Sequence, residues 1–164
     1  MARTNKEVFT GLHTDYYRMV FQMCKGFVKG DADLAKDLSQ DVFINTWNAL
    51  DKFKGASSYK TWIYRITVNT CLKFIRDKKE LQKITLEDVI NHPNERLAAE
   101  EETASQRLYQ AVGQLGEIDR LIIIMVLDDL EYDEIASVIG ISSVNLRVKI
   151  HRIRKQLKSI LEND

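Results

Sequence analysis

Proline occurs once in these 164 residues, cysteine twice and histidine three times, and each scarcity removes a class of protein. A single proline, Pro93, leaves long stretches free to be helical and excludes collagen-like or proline-rich architecture. Cys24 and Cys71 lie in separate apolar stretches without a CxxC spacing or a Cys/His cluster. That excludes a disulfide framework, a redox motif and a cysteine-based metal site, and both read as buried, reduced thiols of a cytoplasmic protein. His13, His92 and His151 are scattered, no carboxylate pair has a recognisable partner, and there is no glycine-rich phosphate loop. Nothing therefore points to an enzyme, a cofactor or a metal. No run of eighteen apolar residues exists, and Met1-Ala2-Arg3-Thr4-Asn5-Lys6 has no apolar core behind it, so neither a membrane span nor a secretion signal is expected.

What the chain has in quantity is charge of both signs, unevenly placed. The 24 basic and 24 acidic residues cancel, which argues against a uniformly basic coat for nucleic acid. Locally, a net excess of about six positive charges lies between Lys54 and Lys83 and about four between Asn145 and Asp164. The stretches Glu87 to Glu102 and Glu117 to Glu134 are acidic. Two basic faces with acidic spacers suit contact with DNA at two places.

Apolar periodicity predicts an all-helical chain. Phe9, Leu12, Tyr16, Met19 or Val20, Met23 and Phe27 recur at helical spacing and stop at Gly30. A second helix starts near Asp31 and carries Leu34, Leu38, Val42 and Phe43 inward, continuing to Trp47 and Leu50, with Asp37, Gln40 and Asp41 along another side. Phe53 to Ser58 reads as a loop ending in a serine cap, followed by a third helix from about Tyr59 to Lys79. Apolar density then falls, and Asn91-His92-Pro93-Asn94 breaks any helical pattern. The expected organisation is a first helical domain over 1–82, a flexible linker over 83–102 and a second small helical domain over 103–164.

The second domain ends in a helix-turn-helix. Tyr132 to Ile139 is a short helix, Gly140 a turn and Ser142 a cap, and a long basic helix follows. Leu146, Ile150, Ile153, Leu157 and Ile160 or Leu161 form its buried stripe. Val148 stands opposite, flanked by Arg147, His151 and Lys155 on one side and Lys149 and Arg152 on the other. From Asn145 to Ser159 every charged side chain is positive, whereas a merely solvated helix usually mixes its signs. Arginine donates bidentately to guanine, asparagine to adenine, and an apolar side chain meets a thymine methyl, so Asn145, Arg147, Val148 and Arg152 are candidates for groove reading. Upstream, Leu121 to Leu127 is hydrophobic nearly all round and is expected to be the buried spine of this domain.

Three segments in this order and spacing closely resemble the extracytoplasmic-function group of bacterial RNA polymerase sigma factors. They are Asp31-Ala32-Asp33-Leu34-Ala35-Lys36-Asp37-Leu38-Ser39-Gln40-Asp41-Val42-Phe43, then Phe53-Lys54-Gly55 with Ser58 to Ile66, and the helix-turn-helix ending Lys149 to Arg154. The resemblance runs from about Phe9 to Lys158. It implies that Asp37, Gln40 and Asp41 dock on the coiled-coil clamp of the largest subunit of core RNA polymerase, while Leu38 and Phe43 pack. It implies that the loop and the third helix read the unpaired strand of the promoter −10 element, with Lys54, Ser57, Ser58, Lys60, Tyr64, Arg65 and Asn69 as candidate contacts. Tyr64 is the favoured stacking ring, since Tyr59 and Trp62 lie near the apolar side.

The resemblance further implies that the second domain binds the −35 element as duplex. Asn145, Arg147, Val148, His151 and Arg152 then face bases or adjacent phosphates, Ser142 and Ser143 cap the helix at the phosphate backbone, and Lys149, Arg154 and Lys155 act electrostatically. The spine helix would meet the flap of the second-largest subunit, and an anti-sigma factor is the implied regulatory partner. The chain departs from the family pattern at Leu115-Gly116, where Leu-Pro is common. It also carries Asp128-Asp129-Leu130-Glu131 where a glycine and a capping serine often stand, which predicts looser starts for two helices. A helix-turn-helix regulator binding duplex DNA as a dimer is the rival, but it gives the Asp37–Asp41 and Phe53–Arg65 segments no role.

Overall fold

The computed structural model describes residues 1–84 and 103–163, and every regular element among them is helical. Three long helices build the first block: α1 (Asn5–Phe27), α2 (Ala32–Ala49) and α3 (Tyr59–Ile84), with a 3₁₀ turn at Leu50–Lys52. Four build the second: α4 (Ala104–Gly113), α5 (Glu117–Leu127), α6 (Tyr132–Ile139) and α7 (Ser143–Glu162). Helix α3 runs past the expected domain edge at 82. The rest of the expected linker, including Pro93 and the Glu87–Glu102 acidic stretch, lies outside the described residues.

Helix starts follow local chemistry. Thr4, Asp31, Thr103 and Ser142 each accept a backbone N–H of the first turn through a side-chain oxygen, as does Ser58 from Thr61 at 3.1 Å. The two starts expected to be looser differ. Gly116 gives α5 no side-chain cap, whereas at α6 the Glu134 carboxylate accepts from the Glu131 amide at 3.4 Å. Gly140 closes α6 in the left-handed region, φ 84°, as the helix-turn-helix turn demands.

The acidic turn after α5 does without glycine. Asp129 takes the left-handed position, φ 56°. Its amide bonds to Val126 O, and the Leu130 amide reaches Met125 O, both at 3.1 Å. This Schellman closure buries Leu130 and projects Asp128 sideways.

The two blocks share one continuous apolar core. Helices α4 and α5 pack on α1, and α6 packs on α3, while α2 packs chiefly on α1 and α3 of its own block. Gly26 allows the close approach: a Cβ there would lie 2.6 Å from Ile124 Cδ1. This accounts for the all-round hydrophobicity of α5. Leu121, Ile122, Ile123 and Met125 are buried, Ile124 faces α1, and Leu127 alone contradicts the expected buried spine by being 55% exposed.

Candidate nucleic-acid interface

Helix α7 presents its cations to solvent because its other side is committed to packing. Leu146, Ile150, Ile153 and Leu157 are buried, and Arg147, His151, Arg152, Arg154 and Lys155 are exposed around Val148, which is 47% exposed. Asn145 is also exposed at the helix start, where its amide donates to Ser142 Oγ at 3.2 Å. Two expected contacts are engaged internally. Ser143 Oγ donates to Asp133 at 2.7 Å, and Lys149 Nζ pairs with Asp119 at 3.0 Å. Both fix α7 against α5 and α6.

The loop before α3 is shaped by aromatic stacking. Phe53 lies on Tyr59 with ring centroids 4.5 Å apart and 25° between planes, and on Trp62 at 4.8 Å. Tyr59 and Trp62 are thus held in a half-buried cluster, leaving Lys54, Ser58, Lys60 and Asn69 exposed and Ser57 partly so. Ser58 is occupied as the α3 cap.

Tyr64 requires a correction. The expected exposed stacking ring is 1% exposed, and its hydroxyl bonds to Asp128 of the acidic turn. Arg65, also expected to face the unpaired strand, donates from Nη2 to Ser137 Oγ of α6 at 2.9 Å. Helical periodicity places both beside the apolar stripe of α3, but it holds no sign that a second block covers that side.

On α2, Asp37, Gln40 and Asp41 are exposed. Asp37 and Gln40 line an open groove with Phe9, His13, Tyr17, Phe43 and Trp47. Phe43 and Leu38 are buried, as expected, but Trp47 is turned outward, 46% exposed, with its ring edge-on to Phe9 at 5.2 Å. Trp47 continues the apolar spacing of α2, which by itself predicts an inward ring. A second apolar groove, lined by Leu108, Val126, Leu127, Leu157 and Leu161 with Arg154 and Lys158 at its edge, opens between α4, α5 and α7.

The seam between the blocks is polar at its rim and carries a cation at its centre. Buried Arg120 of α5 donates from Nε to Phe27 O at 3.0 Å and from Nη1 to Leu115 O at 2.7 Å, with its guanidinium 5.1 Å from the Phe27 ring centroid. Burial lowers its pKa, against the attraction of Glu117 and Cys71. Tyr109 donates to Gln22 at 2.8 Å, and Lys79 pairs with Glu117 at 3.2 Å. The Glu117 carboxyl is lowered chiefly by a hydrogen bond to its own backbone amide and then by Lys79. Partial burial raises Asp128, with Lys60 opposing and Asp129 adding to the shift. Cys24 and Cys71 are free and buried, and the Cys71 thiol is pushed well up by its hydrogen bond with Cys24 and by burial.

Along the chain, the exposed acidic side of α2, the aromatic-braced loop before α3 and the exposed cationic side of α7 follow one another. Residues 12–80 match the sigma-70 region 2 family model, and residues 105–157 match sigma-70, region 4. The chain belongs to the extracytoplasmic-function group of sigma-70 sigma factors. It is 28% identical over 156 residues to the RNA polymerase sigma factor YlaC of Bacillus subtilis, covering 88% of each chain. It is 28% identical over 173 residues to the ECF RNA polymerase sigma-E factor of Escherichia coli K12, covering 96% of this chain and 88% of that one. In fold, the sigma factor resembles RpoE of Bartonella quintana, solved with the anti-sigma factor NepR, at TM-score 0.77 and 21% identity over 96% of this chain and 99% of that one. It also resembles CnrH, solved with the cytosolic domain of CnrY, at TM-score 0.69 and 22% identity over 97% and 90% of the two chains. Among the described residues, no helix of this sigma factor is long and apolar enough to cross a membrane.

Proposed function

We propose that this sigma factor divides promoter recognition between residues 1–82 and 103–164, joined through 83–102. Asp37, Gln40 and Asp41 dock on the clamp of core RNA polymerase, and the neighbouring aromatic groove receives apolar side chains. Lys54, Ser57, Ser58, Lys60 and Asn69, with Tyr64 and Arg65 once uncovered, hold the unpaired −10 strand. Asn145, Arg147, Val148, His151 and Arg152 read the −35 duplex, and the cations Lys149, Arg154 and Lys155 strengthen it through phosphate attraction. Ser142 and Ser143 place the helix start near the backbone. The groove beside Leu127 takes the polymerase flap. The protein works in the cytoplasm, performs no covalent chemistry, and is held by an anti-sigma factor, as RpoE of Bartonella quintana was solved.

Strand opening then draws on binding alone, since capture of unstacked bases offsets the few kcal/mol needed to unpair them. The single observation carrying this reading is the open face of α7: cations around one exposed valine, with no acid from Asn145 to Ser159. The test is transcription by purified core RNA polymerase with this protein and genomic fragments, with start sites mapped. Discrete starts that depend on the protein are expected; absence of both core binding and transcripts from folded protein refutes it.

A further inference from the structure

The outermost line of helix α7 is apolar where the helix begins and basic where it continues. At about 100° per residue, the side opposite Leu146, Ile150, Ile153 and Leu157 is occupied in turn by Val144, Val148, His151 and Lys155, all exposed. Val144 is 69% exposed and Val148 47%. Neither suits a merely solvated helix surface, where a branched side chain loses rotamer freedom and its apolar area gains nothing from water. Alanine, lysine or glutamine would serve solubility and helicity better there. The two valines stand one helical turn apart, with Cβ atoms about 5–6 Å from each other. They form one apolar ridge.

The direction of the ridge is fixed by bonds on both flanks of the buried stripe. On one flank Ser143 Oγ donates to Asp133 of α6 at 2.7 Å, and on the other Lys149 Nζ pairs with Asp119 of α5 at 3.0 Å. Together they set the roll of α7 about its own axis. Ser142, as the cap, holds the first turn on which Val144 sits.

We propose that Val144 and Val148 together read two thymine methyl groups lying within two base-pair steps of each other in the major groove. The proposal rests on the functional reading above and deepens it, adding Val144 to the reading set and making the methyl spacing a specificity element. Residues near the start of a recognition helix reach base edges, and thymine alone among the four bases presents a methyl group there. Two steps of roughly 3.4 Å span about 7 Å, which a ridge one helical turn long can cover. The surroundings favour a polyanion over an apolar protein partner. The ridge is bordered by Arg147, Arg152 and Lys155, whereas the centre of a protein interface is depleted of charge.

Deoxyuridine in place of thymidine removes the methyl group and keeps the base pair, so it tests the ridge directly. The duplex upstream of a mapped start is scanned with single replacements of this kind. Binding at fixed salt is measured for core RNA polymerase assembled with the parent chain, Val144→Ala or Val148→Ala. Two replacements within two steps of each other are expected to weaken binding by the parent about fourfold each, the effect of one buried methyl. Each alanine variant is expected to lose a similar factor and to become indifferent to one of the two replacements, a different one for each variant. Alanine is the stronger helix former, so a loss of affinity is a loss of contact and not of the helix. The methyl reading is overturned, and the sigma function left standing, if no replacement weakens binding or if the sensitive positions lie more than two steps apart. It is equally overturned if the variants bind less tightly yet still respond to both replacements. Coupling of Val148 alone to a methyl overturns the ridge. Absence of specific duplex binding by the parent assembly overturns the functional reading and the ridge together.

Discussion

Helices α3 and α7 are both long, amphipathic and basic, yet the fold uses their polar sides differently. Helix α7 gives one stripe to its own block and leaves the remainder open around Val148. Helix α3 buries Ile63, Val68 and Cys71 in its own block, then loses a further strip, with Tyr64 and Arg65, to the block that contains α7. A cationic face is thus not by itself an available face. Availability depends on what packs beside it, and that partner lies more than sixty residues away in the chain.

The contrast can be broken most forcefully through the cores. Ile63→Ala in α3 and Ile153→Ala in α7 should each cost about 2–5 kcal/mol, because each empties a filled site. Chemical denaturation checks this, and a shared core predicts that either substitution destabilises both blocks. If Ile63→Ala left the unfolding of the α7 block unmoved, the blocks would be energetically separate.

Removing Arg120 attacks the seam together with the link between α4 and α5. Arg120→Ala leaves Phe27 O and Leu115 O without their buried donor, and about 1–3 kcal/mol of stability should be lost per unsatisfied group. Denaturation of this variant with and without a second Phe27→Ala change separates the carbonyl contacts from the ring contact.

On α2, replacing Asp37 and Asp41 together by alanine should weaken binding to core polymerase by about 1.5–3 kcal/mol, the range for hydrogen bonds to charged groups. Duplex binding by the full chain should not change, and titration of core polymerase reads the difference. The open face of α7 is sharpened by Arg152→Ala, for which a loss of about 1–3 kcal/mol in upstream duplex binding at fixed salt is expected. The same substitution should leave thermal stability unaltered, since Arg152 is exposed. The smallest effect belongs to the cap: Ser142→Ala removes the acceptor for the Asn145 amide and should lower stability by about 0.5–2 kcal/mol.

Much of the architecture was legible in the residues. The spacing of Leu146, Ile150, Ile153 and Leu157 fixed which side of α7 turns inward, and Asp31, Ser58, Gly140 and Ser142 marked helix ends by local chemistry that needs no distant partner. The exposed acidic side of α2 was readable for the same reason, since Leu38, Val42 and Phe43 define its opposite. Trp47 was misplaced because apolar spacing reports which side a residue shares, not how far the packing partner extends along the helix. Lys149 and Ser143 were readable as polar but not as already partnered by Asp119 and Asp133.

The sequence by itself determined the helices, their caps, the cationic side of α7 and the family, because periodicity and capping act over a few residues and motif order is linear. Only the tertiary structure decided that Ile124 meets Gly26, that Arg120 bridges two blocks and that Asp128 and Ser137 cover Tyr64 and Arg65. Those contacts depend on which of several apolar surfaces meet when two amphipathic blocks collapse together. That choice is made by shape and by the pairing of donors across the seam, neither of which is written in the spacing of residues along one helix.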